Sequence, residues 1–271
     1  MERSPAEKPE VSVILPAYNL EKVIKASILR TKHVLESMGK TYEIIVVNDG
    51  SSDGTYRKAK TLEDGVRVKV VNNRVNFGKG FAVKKGVEFA SGTYTIFVDA
   101  DLEIDPIQIG KFLIALKKAD IVIASKRHPN ANYEAPYIRK FLSFCFHLLV
   151  VLLTGVKVSD TQSGLKAFRT SAIKKIMKLV VVRRYAFDVE VLAVAQLLKL
   201  KIVEVPINIK IEKLFSLKAV VNMFVDLLGI TYRLRVTKWY QRKLHKMNLQ
   251  SSNSNQKEGT ILTLDKNAIN F

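Results

Sequence analysis

The sequence predicts an α/β fold: an open, mostly parallel twisted sheet flanked by helices. Three observations carry this reading. Short apolar runs recur between helix-length segments. The runs are almost continuously apolar, as in Glu43-Ile44-Ile45-Val46-Val47 and Tyr94-Thr95-Ile96-Phe97-Val98, which suits strands buried on both faces. Several runs end in a turn-rich or acidic loop that opens the next helix, the βα succession of a parallel sheet.

The elements follow in order. Val11 to Leu15 reads as a strand ended by Pro16, and Glu21 to Met38 as a helix. Glu43 to Val47 is a second strand running into Asn48-Asp49-Gly50-Ser51-Ser52-Asp53-Gly54, a loop and helix start. Val66 to Val71 is a third strand, Phe77 to Ala90 a helix and Tyr94 to Val98 a fourth strand. A helix at about Pro106 to Lys117 leads to the strand Asp120 to Ala124. Tyr137 to Leu153 is a strongly apolar helix on which Arg139, Ser143 and His147 share one face. Val158 to Lys166 reads as a loop, Asp188 to Leu198 as a helix and Lys201 to Val205 as a strand. Phe215 to about Lys243 reads as one amphipathic helix, with Leu217, Val221, Phe224, Leu228 and Tyr232 along its apolar side.

Composition narrows the function. The 271 residues suffice for one large domain with appendages. The net charge of +19 asks for an anionic partner: nucleic acid, an anionic membrane or phosphorylated ligands. Many basic residues between Arg139 and Lys246 adjoin apolar segments, which suits a membrane surface better than a duplex groove. Arg233, Arg235, Lys238, Arg242, Lys243 and Lys246 are expected at lipid headgroups, with Trp239 and Tyr240 at the interface. Cys145 is the only cysteine, so no disulfide forms within the chain. The polar start lacks an apolar signal core, and the run Phe141 to Leu153 falls short of the ~20 residues of a spanning helix. No transmembrane helix is therefore predicted.

The chemistry concentrates in Val98-Asp99-Ala100-Asp101-Leu102-Glu103. Three carboxylates where a buried strand ends are costly unless a positive charge sits among them. A divalent cation carrying a phosphorylated ligand answers that need, because hard cations take oxygen ligands. The carboxyl end of a parallel strand is also where open α/β sheets bind ligands. The plainer alternative is a solvated acidic turn before the next helix. The Asn48–Gly54 loop offers backbone N–H groups and a carboxylate, and Asn76-Phe77-Gly78-Lys79-Gly80 is a further glycine-containing turn before a helix. Lys79 there either meets phosphate or base or faces solvent. His147 is expected to pack rather than catalyse, and Asp188 and Glu190 to cap a helix unless they enter the site.

Taken together, these pieces resemble the family-2 glycosyltransferases of GT-A (Rossmann-like) fold. The resemblance runs from about Val11 to Lys243. It is carried by Pro16-Ala17-Tyr18-Asn19-x-Glu21, the Asn48–Thr55 loop, Asn76–Gly80 and Asp99–Glu103, in that order. Ala124-Ser125-Lys126, Arg139 with Ser143, Asp160-Thr161-Gln162-Ser163-Gly164-Leu165-Lys166, Phe187-Asp188-x-Glu190 and Glu204-Val205-Pro206-Ile207 narrow it towards the dolichyl-phosphate β-glucosyltransferases and mannosyltransferases. Two departures stand out. Asn48 replaces a commoner Asp, and Lys126 stands where Arg is usual, turning a bidentate fork into a point charge. Arg127 beside it could supply the guanidinium instead.

The resemblance implies roles for particular residues. Pro16, Ala17, Asn19, Glu21, Asp49, Lys79, Asp99 and Gln162 would bind a nucleotide-sugar donor. Asp101, Glu103 and Asp99 would hold Mg²⁺ or Mn²⁺ against its diphosphate. Lys126, Arg139 and Ser143 would hold the phosphate of a polyprenyl or dolichyl acceptor. Asp101, Asp160 and Arg139 would be catalytic, Asp160 either orienting the sugar or assisting deprotonation. The organisation implied is a polar segment over 1–10, a catalytic domain over 11–213 with an interface helix at about 137–155, an amphipathic interface region over 214–246 and a disordered tail over 247–271. The expected reaction is inverting transfer of glucose from UDP-glucose to the lipid phosphate at the cytoplasmic face of a membrane, by a peripheral protein. Mannosyl transfer from GDP-mannose is the alternative within the class. Nucleotidyl transfer would want a glycine-rich basic loop after the first strand, where Pro16-Ala17-Tyr18-Asn19 stands. A non-enzymatic basic module binding nucleic acid or membrane explains the charge but not the acids; nucleic acid is not expected as a partner.

Overall fold

The computed structural model describes residues 8–211 and 217–250. In chain order the strands are β1 (Val11–Ala17), β2 (Tyr42–Asp49), β3 (Val68–Asn73), β4 (Tyr94–Val98), β5 (Ile121–Ser125), β6 (Asn132–Glu134), β7 (Leu165–Arg169), β8 (Ile202–Pro206) and β9 (Asn208–Lys210). The helices are α1 (Ile24–Ser37), α2 (Thr55–Lys60), α3 (Lys79–Phe89), α4 (Ile109–Leu116), α5 (Tyr137–Thr154), α6 (Thr170–Met177), α7 (Phe187–Leu197), α8 (Leu217–Thr231) and α9 over 239–250. Seven strands form one sheet in the order β3-β2-β1-β4-β7-β5-β8, and β6 pairs with β9 apart from it. The sheet is parallel except at β7, which runs antiparallel to both β4 and β5.

Alternation along the strands sorts the core into two layers. Ile14, Ile45, Val47, Phe97, Ile123 and Phe168 face α3, α6 and α7, joined by Leu227, Ile230 and Tyr240 from the C-terminal helices. Val13, Leu15, Ile44, Val46, Ile96 and Val98 face α1 and α4. The chain builds outward from β1 through β2 to β3, then returns to place β4 on the other side of β1. That reversal is the topological switch point where such sheets bind ligands. Pairing of β1 with β4 stops at Ile14, whereas pairing with β2 continues through Pro16 to Ala17. A crevice therefore opens beside the end of β4, and Pro16, which has no N–H to donate, lies on its edge.

The structure departs from the sequence reading in several places. Residues from Leu165 on form β7, where a loop through Lys166 is expected. Lys166 interrupts the apolar pattern of the run, yet it is fully buried beside Ala167 and Phe168. The single helix expected over 215–243 is α8, a π-helical turn over Tyr232–Val236 and then α9, broken where Lys238 adopts φ +48°. Its first two residues, Phe215 and Ser216, lie outside the described residues. Tyr240 does not sit at an interface. It is fully buried, donates its hydroxyl to the Glu190 carboxylate and accepts from Arg233 Nε at 3.0 Å. Trp239 packs, partly buried, against the same core. The break lets Tyr240 turn inward, which a continuous amphipathic helix would not allow. Residues 247–250, placed in the expected disordered tail, are helical, and 251–271 lie outside the described residues, as do 1–7 of the polar N-terminal segment.

Helix α5 runs one residue beyond the expected Leu153, to Thr154, and its 18 residues give a length of about 27 Å. By length and composition it is long and apolar enough to cross a membrane. Only Val150 and Thr154 are buried, while Phe141, Phe144, Leu148 and Leu152 are exposed. Val221, Phe224, Val225 and Leu228 of the neighbouring α8 are exposed too.

Glu190 pins this C-terminal region to the domain. Its other oxygen accepts the N–H groups of Val181 and Val182 at 2.8 and 2.7 Å. Tyr240→Phe removes one buried hydroxyl from this arrangement and is expected to cost about 1–3 kcal/mol, read as a lower midpoint in urea unfolding followed by circular dichroism. An unchanged midpoint would mean that Tyr240 does not secure the C-terminal helices.

Candidate active site

The site is built at the carboxyl ends of β1, β2 and β4. The loop after β1 is stapled to the loop after β2. Asn19 accepts the Ser52 N–H at 2.9 Å and gives its own N–H to Ser51 Oγ at 3.0 Å. Glu21 accepts the Gly54 N–H at 3.0 Å, and Asp53 accepts the Glu21 N–H at 3.1 Å. Asn19 and Glu21 thus shape the rim beside Pro16 and the buried Ala17. Asp49, at the end of β2, is buried and accepts the N–H groups of Phe77 and Gly78 at 3.1 and 2.7 Å, and Asn73 Nδ2 at 3.0 Å. It fixes the start of α3. Gly78 takes φ +102° there, a conformation that L side chains rarely adopt.

Lys79, the first residue of α3, lies across the crevice. Its Nζ is 2.6 Å from Asp99 Oδ1 and 3.9 Å from Asp188 Oδ2. Asp188 Oδ1 in turn pairs with Lys166 Nζ at 2.9 Å, and that amine also donates to the Ser163 carbonyl at 2.5 Å. The four side chains form an alternating chain, Asp99–Lys79–Asp188–Lys166, tying together the end of β4, the start of β7 and the starts of α3 and α7. Burial alone would lower the Lys79 ammonium, but Asp99 and Asp188 outweigh it and hold the group above the ordinary lysine range. Asp101 and Glu103 follow on a tight turn. Leu102 between them adopts φ +64°, and Asp101 Oδ1 accepts the Glu103 N–H at 3.1 Å. This is backbone strain at the residue between two candidate ligands. Among the described residues no three His, Cys, Asp or Glu side chains converge as a ready-made metal cage.

A second cluster lies at the end of β5. The buried Asp160 carboxylate receives Lys126 Nζ at 3.0 and 3.1 Å, the Lys126 N–H at 3.2 Å and the Gln162 N–H at 3.1 Å. Burial would raise Asp160, but Lys126 and these N–H groups hold its carboxyl below the usual range. Arg127 donates from Nη2 to the Ser143 carbonyl at 2.7 Å, fastening α5 to the domain. The Lys126 ammonium is 5.9 Å from the Tyr133 ring centroid, and Arg139, Arg127 and Asp160 all act electrostatically on the Tyr133 phenol. Gln162 Nε2 and Ser163 Oγ are buried atoms with no hydrogen-bond partner.

The segment 160–164 joins the clusters. It begins at Asp160 and ends at Gly164, whose carbonyl accepts the Asp99 N–H at 3.1 Å. The structure thus gathers Asp99, Lys79, Asp49, Asn19 and Glu21 around the β1–β4 crevice, and Lys126 and Asp160 at the end of β5, where Arg139 acts on Tyr133 and the Ser143 carbonyl holds Arg127. The sequence reading passed over Lys166 as a site residue and missed Asn73 and Tyr133. It left Asp188 open between cap and site; the structure puts it in the ion chain. A lysine directly after Gly164-Leu165, at the head of an otherwise apolar run, was the available signal for Lys166.

Comparison with known proteins bears directly on this crevice-and-loop arrangement. Residues 12–177 match the model of glycosyl transferase family 2. The chain belongs to that family and is a glycosyltransferase. It is 31% identical over 257 residues to the dolichyl-phosphate beta-glucosyltransferase of Dictyostelium discoideum, covering 88% of this chain and 78% of that one. It is 32% identical over 262 residues to the human dolichyl-phosphate beta-glucosyltransferase, covering 88% and 80%. Glucosyl-3-phosphoglycerate synthase from Mycobacterium tuberculosis, in complex with Mn²⁺, UDP and glucosyl-3-phosphoglycerate, shares the fold with a TM-score of 0.62 at 18% identity, covering 83% of this chain and 79% of that one.

Gly164 tests the junction of the two clusters. A Cβ there would stand 2.2 Å from Asp99 Oδ2. Gly164→Ala is expected to displace that carboxylate and lower transfer at least tenfold with little loss of far-UV ellipticity. Activity within twofold of wild type would show that the close packing of Gly164 on Asp99 is not needed.

Proposed function

We propose that this protein transfers glucose from UDP-glucose to a polyprenyl or dolichyl phosphate with inversion, giving a β-linked lipid-phosphate sugar. The observation that carries this reading is the union, through the 160–164 segment, of a carboxylate-lined crevice at the switch point with a cationic cluster beside an apolar helix. The names borne by the relatives in Dictyostelium discoideum and human supply the sugar and the acceptor class. A phosphate monoester is close to a dianion at neutral pH, since its second pKa is about 6. It is already a nucleophile, so the site needs no strong general base. Its task is to bring two anionic groups together, which requires positive charge on each.

Lys126 and Arg139 hold the acceptor phosphate in this reading, and Ser143 offers a hydroxyl beside them. Asp160 keeps Lys126 in place and orients the sugar. Pro16, Ala17, Asn19, Glu21 and Asp49 shape the nucleotide pocket, with Gln162 at the sugar. The donor set after β4 is all-oxygen and open, which fits a divalent cation that takes its remaining ligands from water and diphosphate. Asp101, Glu103 and Asp99 would hold Mg²⁺ or Mn²⁺, and the fold neighbour was crystallised with Mn²⁺ and UDP. When bound, the ion would neutralise charge developing on the leaving diphosphate. Helices α5 and α8 lie at the cytoplasmic membrane face as a peripheral attachment, their exposed apolar side chains in the interface. Arg127 and the buried Val150 and Thr154 keep one side of α5 on the protein.

The test is a transfer assay with a panel of radiolabelled nucleotide-sugars, vesicle-borne polyprenyl phosphate and divalent metal. UDP-glucose should be the preferred donor; preference for GDP-mannose would move the protein to the mannosyl reading. Asp101→Asn should abolish transfer while leaving the unfolding transition intact, and full turnover by this variant would remove Asp101 from the metal site. Arg139→Ala should raise KM for the lipid phosphate about tenfold or more, since a charge-assisted contact is worth about 1.5–3 kcal/mol. The KM for the nucleotide-sugar should stay within twofold; a selective loss on the donor side would place Arg139 on the wrong substrate.

A further inference from the structure

We propose that Lys79 is a resident counter-ion that holds the cation-binding carboxylate Asp99 until a divalent ion displaces it, and that Asp188 is the second seat onto which its ammonium then shifts. The inference builds on the reading of Asp99 and Asp101 as metal ligands and adds a device to it.

The geometry defines both seats. Lys79 Nζ contacts both oxygens of Asp99, at 2.6 and 2.9 Å, and so sits where a cation shared with Asp101 would draw on the same carboxylate. On its other side Asp188 Oδ2 stands at 3.9 Å, the outer limit of an ion pair. Asp188 cannot follow Lys79, because Oδ1 is held by the fully buried Lys166 at 2.9 Å and Lys166 is itself held by the Ser163 carbonyl. Asp99 is confined too, with its N–H on the Gly164 carbonyl and its carboxylate so close to that glycine that a Cβ there would stand 2.2 Å from Oδ2. The mobile member is the lysine, whose four-carbon stem carries the charge between two fixed acids. A half-buried carboxylate without a counter-charge is costly, so the lysine removes that cost when no divalent ion is bound. Once an ion takes Asp99, a lysine still there would repel it, and the seat at Asp188 keeps the ammonium paired at the crevice, beside the start of α3. There it is available to the negative charge of a diphosphate, so ion and nucleotide would bind with mutual assistance.

The test measures Mn²⁺ and UDP binding to the full-length protein by calorimetry, with bound Mn²⁺ counted by electron paramagnetic resonance. Lys79→Met should bind Mn²⁺ alone about tenfold more tightly than wild type, because nothing has to be displaced. The same variant should bind UDP in saturating Mn²⁺ at least fivefold more weakly. Without metal it should melt below wild type, and saturating Mn²⁺ should raise its melting temperature by more than it raises that of wild type. A lysine that merely supports the fold would shift both affinities in the same direction. Lys79→Gln provides the same reading if the methionine variant fails to fold. Unchanged or weaker binding of Mn²⁺ alone by the variants would overturn the proposal. Asp101→Asn separates this from the underlying assignment. If it abolishes Mn²⁺ binding in wild type while Lys79→Met leaves Mn²⁺ affinity unaltered, the displaced counter-ion is refuted and the metal ligands stand. If Mn²⁺ binding ignores Asp101→Asn, the metal assignment falls and the proposal with it.

Discussion

The alternating ion chain Asp99–Lys79–Asp188–Lys166 is the interaction on which the site depends. Its members come from four elements that meet only because the sheet changes direction at β1 and β4. Two carboxylates and two ammonium groups cancel, so charges that would be prohibitive singly are tolerated inside the domain. Lys166 shows how strict the arrangement is. It is a fully buried lysine in the middle of the sheet, answered among the described residues by Asp188 and the Ser163 carbonyl. Removing one partner of such a pair leaves an uncompensated charge, a loss of about 3–5 kcal/mol in typical cases. The chain is thus both a structural clamp between β7 and α7 and the floor of the crevice.

Strand β7 makes that possible. Because it runs against β4, its beginning lies beside the end of β4, with Leu165 opposite Val98. A parallel strand in that position would deliver its end there and send the preceding loop to the far edge of the sheet. The reversal instead brings the 160–164 segment alongside Asp99, with Asp160 left at Lys126 on the end of β5. Two clusters that belong to different strands are therefore set by one short piece of backbone. Gln162 and Ser163, which carry unpartnered buried polar atoms, lie within it.

Most of the parallel half was legible in the sequence because its strands are apolar throughout and each ends in a recognisable turn. The motif residues Asp49, Lys79, Asp99, Asp160 and Lys126 stood out as a series, and the structure groups them into two clusters. What was hidden shares one cause: charge in the interior. Lys166 concealed β7, since a strand bearing a buried lysine has no simple alternation. Glu190 read as a helix-start acid, although its carboxylate is spent on Val181, Val182 and Tyr240. Tyr240 read as an interfacial aromatic because Trp239 and several basic residues surround it, and the helix break that buries it follows from no local signal stronger than the positive φ at Lys238. Local periodicity reports which face of an element is apolar. It does not report which distant ion will neutralise a buried charge.

The anchoring of the C-terminal helices has a geometric consequence. Helix α8 is held about its middle by Arg184 on Asn222 and Asp226 and beyond its far end through Arg233 and Tyr240 on Glu190, while Arg235 reaches the Leu152 carbonyl of α5. The exposed apolar side chains of both helices therefore keep a constant height relative to Lys126 and Arg139. If a lipid phosphate binds as proposed, with its head at those cations and its tail over the helices, the scaffold would touch only the first stretch of the tail and so gauge where the oily part begins.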